Sequence, residues 1–173
     1  NLRELCETTI NFIKHPNCDI SETLIAPDFP SGGYIIYNKE ELREIYKTGR
    51  GSFRLRSKYT FDKKNNCIEI TEIPYTTTSE AIIDKIVELI KANKIKEISD
   101  IRDETDLSGL KIAIDIKKGV DADMLMMRLY MLTPLEDSFS CNFNILINNH
   151  PRVMGVAEIL HEWTDFRSSC IRR

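Results

Sequence analysis

Leu2, Leu5, Cys6, Thr9, Ile10 and Ile13 recur at helical spacing, and Pro16 stops the run, so residues 2–14 predict an amphipathic helix. Ser21 is suited to capping a short helix that reaches Leu24. The stretch Ala26-Pro27-Asp28-Phe29-Pro30-Ser31-Gly32-Gly33 then predicts a loop, and Tyr34–Tyr37 a short strand. Lys39–Tyr46 predicts a charged helix that ends at Thr48-Gly49, where glycine supplies a left-handed cap. Ser52–Asp62 and Cys67–Ile73 alternate as two strands joined by the polar tip Lys63-Lys64-Asn65-Asn66.

Further along, Ile82, Ile83, Ile86, Val87 and Ile90 form one stripe of a core-facing helix over Ser79–Ala92. Glu97–Arg102 and Leu110–Ile116 predict strands flanking the acidic stretch Asp103–Ser108. Ala122–Leu132 predicts a helix whose Met124, Met126, Met127 and Met131 belong to the core or its edge. Cys141–Ile147 predicts a strand, Asn148-Asn149-His150 a turn, and Val153 the start of a partner strand. Val156–Ile171 closes the chain as a helix, on which Trp163 packs into the core or against a neighbouring domain. Interleaved helices and strands with a tight hairpin predict an α+β fold: a mixed or antiparallel sheet with a basic β-hairpin, packed against several helices.

Length and composition narrow the classes. At 173 residues the chain suffices for one domain with its own core. Its 42% hydrophobic residues argue against disorder along the whole length. With 24 Lys and Arg against 27 Asp and Glu, a uniformly basic nucleic-acid binder is excluded, whereas a local basic face is not. No apolar run approaches the roughly 18 residues of a membrane span, and no signal peptide is visible, which gives the chain a cytoplasmic character. It opens at Asn1-Leu2 without Met and closes on Arg172-Arg173, as a piece of a longer polypeptide would.

Cys6, Cys18, Cys67, Cys141 and Cys170 are scattered, without C-x-x-C, and His15, His150 and His161 lie far apart. They read as reduced structural cysteines, with neither a disulfide framework nor a zinc site. Thr48-Gly49-Arg50-Gly51-Ser52 lacks the glycine spacing of a phosphate loop and leads into a strand, so no nucleotide site follows. Asp100–Asp106 lacks the spacing of a calcium loop, and Arg102 in its middle predicts ion pairing instead. There is no G-x-S-x-G and no Cys–His arrangement, hence no catalytic residue and no metal ligand. Tyr46 and Tyr59, close to cations, read as packing residues.

The stretch Ser52–Tyr59 carries the most chemistry. Alternation sends Phe53, Leu55, Ser57 and Tyr59 to one face and Arg54, Arg56 and Lys58 to the other. At ~3.3 Å per residue, these three cations stand about 7 Å apart, near the phosphate repeat of a nucleic-acid strand. Lys47 and Arg50 precede them. Nine basic and four acidic residues lie between Lys39 and Lys64, against 15 and 23 in the remainder, so positive charge is segregated. Lys47, Arg50, Arg54, Arg56 and Lys58 are therefore the candidate contacts to nucleic-acid phosphates. The alternative is a solvated edge strand protected by its charges, with Glu69 and Glu72 as partners.

Several segments together resemble the A subunit of bacterial type IIA DNA topoisomerases, gyrase A and topoisomerase IV A alike. They are Ala26–Gly33, Ile45-Tyr46-Lys47-Thr48-Gly49-Arg50-Gly51-Ser52, Ile70-Thr71-Glu72-Ile73-Pro74-Tyr75, Ile98–Asp106 and Glu158-Ile159-Leu160-His161-Glu162-Trp163, in the family's order across essentially all 173 residues. The resemblance implies a single tower (shoulder) domain over residues 1–173, with the coiled-coil helix starting near 156–173. The catalytic tyrosine, its helper arginine and the DNA-wedging isoleucine lie upstream in the family, so none falls on this chain, which is expected to be inactive alone. The parent is implied to be an ATP-hydrolysing enzyme that cuts, passes and reseals double-stranded DNA. Its ATP and Mg2+ sit on the B subunit, which leaves no cofactor here. Implied partners are the duplex phosphate backbone, a second A subunit and two B subunits, with no membrane. The isolated fragment is expected to be a monomer, and the setting the cytoplasm and its nucleoid. The tower either touches the arms of a bent duplex or serves only as a spacer between the DNA gate and the coiled coil.

Overall fold

The computed structural model describes residues 1–173. Five α-helices and nine strands alternate: α1 Leu2–Lys14, β1 Tyr34–Ile36, α2 Lys39–Thr48, β2 Arg50–Arg56, β3 Lys58–Asp62, β4 Cys67–Glu72 and α3 Ser79–Lys91. There follow β5 Ile98–Asp103, β6 Ile112–Ile116, α4 Ala122–Leu132, β7 Glu136–Asn142, β8 Asn144–Ile147, β9 His150–Val153 and α5 Val156–Arg172. The fold is α+β with antiparallel pairings, as the alternating patterns predict. The chain divides into two compact units. One comprises Asn1–Asp28, Tyr37–Phe53 and Phe139–Arg173, the other Phe29–Ile36 and Arg54–Ser138.

In the first unit, helix ends follow local chemistry. The Asn1 side chain accepts from the amides of Arg3 and Glu4, and Asn38 from those of Glu40 and Glu41, which satisfies amides a helix start leaves open. Gly49 caps α2 in the left-handed region at φ 76°. The short turn of helix is Ile20–Glu22, and its cap is Asp19 rather than Ser21: the Asp19 carboxylate accepts from both the amide and the hydroxyl of Ser21. A cap lies outside the helix, and Ser21 is inside it. Thr8, fully buried on α1, donates to Thr23 Oγ1 at 2.7 Å. Gly155, at the start of α5, comes so close to α2 that a Cβ would stand 2.1 Å from the Lys47 carbonyl oxygen.

The second unit holds the four-stranded sheet β3-β4-β6-β5. Ile68, Ile70, Ile112 and Ile114 face one way and are fully buried together with Ile82 and Ile86 of α3 and Met126 and Leu129 of α4. The opposite face carries an ion-pair ladder. Arg102 reaches Asp100, Glu104 and Asp115, and Lys111 reaches Glu69 and Glu104. Pairing of Arg102 with acidic neighbours is the outcome its place in the acidic stretch predicts. Leu89, buried on α3, completes the stripe that Ile82 and Ile86 begin, whereas Ile83, Val87 and Ile90 are only partly buried. The methionines divide differently from expectation: Met126 is fully buried, but Met124, Met127 and Met131 are exposed. Leu125, Met126 and Leu129 already fill the inward face of α4, leaving the other three on the outside.

Two strands expected to be continuous are broken. Ser52–Asp62 divides at Ser57 into β2 and β3, which belong to different sheets: β2 joins β1 and β7 in the order β1-β2-β7, and β3 joins β4. Cys141–Ile147 divides at Phe143 into β7 and β8, and β7 begins earlier, at Glu136. The turn Asn148-Asn149 has both residues at positive φ, the geometry that closes a two-residue hairpin between β8 and β9.

Candidate nucleic-acid interface

Ser57 decides where each cation of the basic strand goes. Its side chain is fully buried, and its amide and hydroxyl both donate to the Leu135 carbonyl at 2.8 Å. Tyr130 donates its hydroxyl to the Ser57 carbonyl at 3.1 Å. These bonds hold the backbone where it leaves one sheet for the next. Phe53, Leu55 and Ser57 point inward, as alternation predicts, and Arg54 is exposed. The row of three equally spaced cations is not formed, because Lys58 lies beyond the break, in β3. A register shift between Lys58 and Tyr59 displaces the alternation further. Tyr59 is half-buried and donates to Asp123 at 2.7 Å; burial foremost, then this acceptor, pushes its phenol well above its usual range.

On the outer face of β1 and β2, Tyr34 opposes Arg56 and Ile36 opposes Arg54, so two exposed apolar side chains flank two guanidiniums. The guanidiniums converge on one carboxylate. Arg56 Nε donates to Glu136 Oε2 at 2.8 Å, with its Nη2 2.7 Å from the same oxygen, and Arg54 Nε forms an ion pair with Glu136 Oε1 at 2.8 Å. Side-chain exposure falls from 57% at Arg54 through 33% at Arg56 to 11% at Glu136. The Arg56 guanidinium also lies 4.7 Å from the centre of the Tyr130 ring, a cation–π contact that orients it. Burial pushes the Tyr130 phenol up to about 12. Lys58 approaches Glu72 at 3.5 Å, and Glu72 also accepts from the Gly33 amide at 2.6 Å. Glu69, the other carboxylate expected opposite the strand, pairs with Lys111 instead.

The remaining two candidates, Lys47 and Arg50, lie in the first unit; both are exposed and neither makes an ion pair. Sequence reasoning missed Glu136. It stands some 80 residues from Arg54 and Arg56, and no local pattern distinguishes it from any other surface acid. The five cysteines form no disulfide, and no group of three or more His, Cys, Asp or Glu side chains is arranged to hold a metal ion. No helix is long and apolar enough to cross a membrane.

A family model for the A subunit of DNA gyrase/topoisomerase IV matches residues 1–173. The chain belongs to this family. It is 39% identical over its full length to a probable chloroplastic/mitochondrial DNA gyrase A subunit of Oryza sativa subsp. japonica, of which it covers 19%. It is 36% identical to the DNA gyrase A subunit of Borreliella burgdorferi and 35% identical to that of Staphylococcus aureus, again over its full length, covering 22% and 20% of them. The chain thus spans about a fifth of the length of these relatives. The match takes in both units, including the Ser57 break and all five candidate cations.

Proposed function

We propose that this chain is a non-catalytic, DNA-arm-binding tower domain of a type IIA topoisomerase A subunit. On this reading the parent enzyme carries out ATP-dependent double-strand DNA cleavage, passage and religation, as an assembly of two A and two B subunits. ATP and Mg2+ are then the business of the B subunit, and this chain supplies no catalytic group. Its setting would be the cytoplasm, on the nucleoid.

The observation that carries the reading is the outward cluster of Arg54 and Arg56, two guanidiniums sharing one carboxylate and so leaving a positive surplus on an exposed face. Arg54 keeps its two Nη groups free of any hydrogen bond within the protein. Guanidinium donors of this kind match phosphate oxygens. Bending 20–30 bp of duplex costs on the order of 1–6 kcal/mol, and backbone contacts on the arms offset it without reading sequence. Lys47 and Arg50, unpaired and exposed, would add phosphate contacts of their own. Lys58 would contribute less, since Glu72 already neutralises it.

A second reading is favoured by that same pairing: with Glu136 and Glu72 beside three of the five cations, the domain would be a spacer that does not touch DNA. One experiment separates the two. Arg54→Glu/Arg56→Glu in the full-length protein, assembled with its B subunit, is titrated with duplex across a range of NaCl concentrations and assayed for supercoil relaxation. The DNA-binding reading expects weaker binding, a shallower salt dependence and slower relaxation, with unchanged circular dichroism. Binding and relaxation equal to wild type would establish the spacer.

A further inference from the structure

Glu136 is the least exposed member of the arginine cluster, yet both of its oxygens are taken by cations that the proposed function assigns to DNA. Three guanidinium donors reach it within 2.8 Å, two from Arg56 and one from Arg54. A carboxylate bridging two arginines resembles in shape and charge a phosphodiester with its two unesterified oxygens, since both present a pair of anionic oxygens to planar donor forks. Arg56 also lies against the Tyr130 ring, whereas more than half of the Arg54 side chain is in solvent.

We propose that Glu136 is a built-in competitor for the DNA phosphate at the Arg54–Arg56 clamp, which holds the two guanidiniums ready and lowers arm affinity so that the duplex is released readily. This rests on the reading of the face as a DNA contact and concerns its regulation. With Glu136 ionised, the three side chains carry a net single positive charge; without it they carry two. A phosphate approaching Arg54 meets free Nη donors at once, but it takes the Nε–Nη2 edge of Arg56, the edge suited to a two-pronged contact, only by drawing it from Glu136 Oε2. The carboxylate therefore withholds about one phosphate contact. An enzyme that must let go of its duplex after each cycle gains turnover from such weakening.

Counterion release converts one phosphate contact into a slope. Each contact steepens the fall of log K with log salt by about 0.9, which at about 0.1 M NaCl amounts to a roughly eightfold change in affinity. Glu136→Gln in the full-length protein is expected to bind a short duplex roughly eightfold more tightly at about 0.1 M NaCl, with a slope steeper by about 0.9. Glu136→Ala, which cannot hydrogen-bond either arginine, is the second variant and is expected to shift in the same direction. Combined with Arg54→Ala/Arg56→Ala, Glu136→Gln should lose most of its gain. Tighter binding with an unchanged slope, or no change in either variant, would overturn the role of Glu136 while Arg54→Ala/Arg56→Ala still weakens binding. Should that double variant bind as wild type, the DNA reading of the whole face fails, and this proposal with it.

Discussion

Ser57 and Leu135 are joined twice, amide and hydroxyl of the one to the single carbonyl of the other, both at 2.8 Å. In Ser57→Ala the carbonyl keeps its amide partner, so no acceptor is stranded, and only the hydroxyl's bond is lost. The expected cost is about 1 kcal/mol, measured by urea unfolding. Ser57→Val leaves the same bond unmade and puts two methyl groups where one hydroxyl stood, one heavy atom more at a fully buried position, so it should cost more, about 2 kcal/mol or above. Equal stability of both variants and wild type would mean that the Ser57 hydroxyl adds nothing to what the backbone bonds and packing already hold at the break between β2 and β3.

Alkaline stability should decline in two stages. Burial, and then Asp115, pushes the Cys67 thiol up to about 11; burial pushes the Tyr46 and Tyr130 phenols up to about 12. Each folded value lies above its unfolded one, so the folded state holds its proton more tightly. The associated stability is complete below the unfolded values, near about 8.5 for cysteine and about 10 for tyrosine, and is lost as pH rises through the folded ones. Thermal unfolding between about pH 8 and 12 should show Tm falling first from about pH 9 and then more steeply above about 10. Burial raises the Cys141 thiol as well, so Cys67→Ala should make the first stage shallower without removing it, and leave the second.

The α4 methionines should separate by reactivity. Met124, Met127 and Met131 are exposed, while Met126 and Met154 are buried. Limited peroxide treatment followed by peptide mass mapping should place sulfoxide on the three exposed residues first. Because their side chains are outside the core, circular dichroism and Tm should change little at that stage. Early oxidation of Met126 would contradict the packing of α4.

Core packing in the second unit offers a further check. Ile86 is fully buried on α3 among the sheet isoleucines, so Ile86→Ala should cost about 2–5 kcal/mol. Val87→Ala, one residue on and only partly buried, should cost well under half as much in the same urea titration.

Much of this fold was legible where the governing forces are local. The end of α2 follows from Gly49, and the β3–β4 hairpin from its polar tip Lys63-Lys64-Asn65-Asn66. The break at Ser57 was not legible, because serine between arginine and lysine fits strand alternation and its partner lies 78 residues ahead. The same holds at the candidate site. Alternation put Arg54 and Arg56 outside and Leu55 inside, but Glu136 arrives through tertiary pairing that no spacing records. Methionine misled for another reason: its hydrophobicity counts toward a core that Leu125, Met126 and Leu129 had already filled.

At Gly155 the first turn of α5 meets the last carbonyls of α2 main chain against main chain, with the oxygens of Lys47 and Tyr46 standing 2.1 and 2.8 Å from where a Cβ would be. Side-chain joints yield by rotamer changes; this one has no side chain to yield. A pull or twist along α5 would accordingly reach α2 with little slack, and the two helices would behave as a single lever.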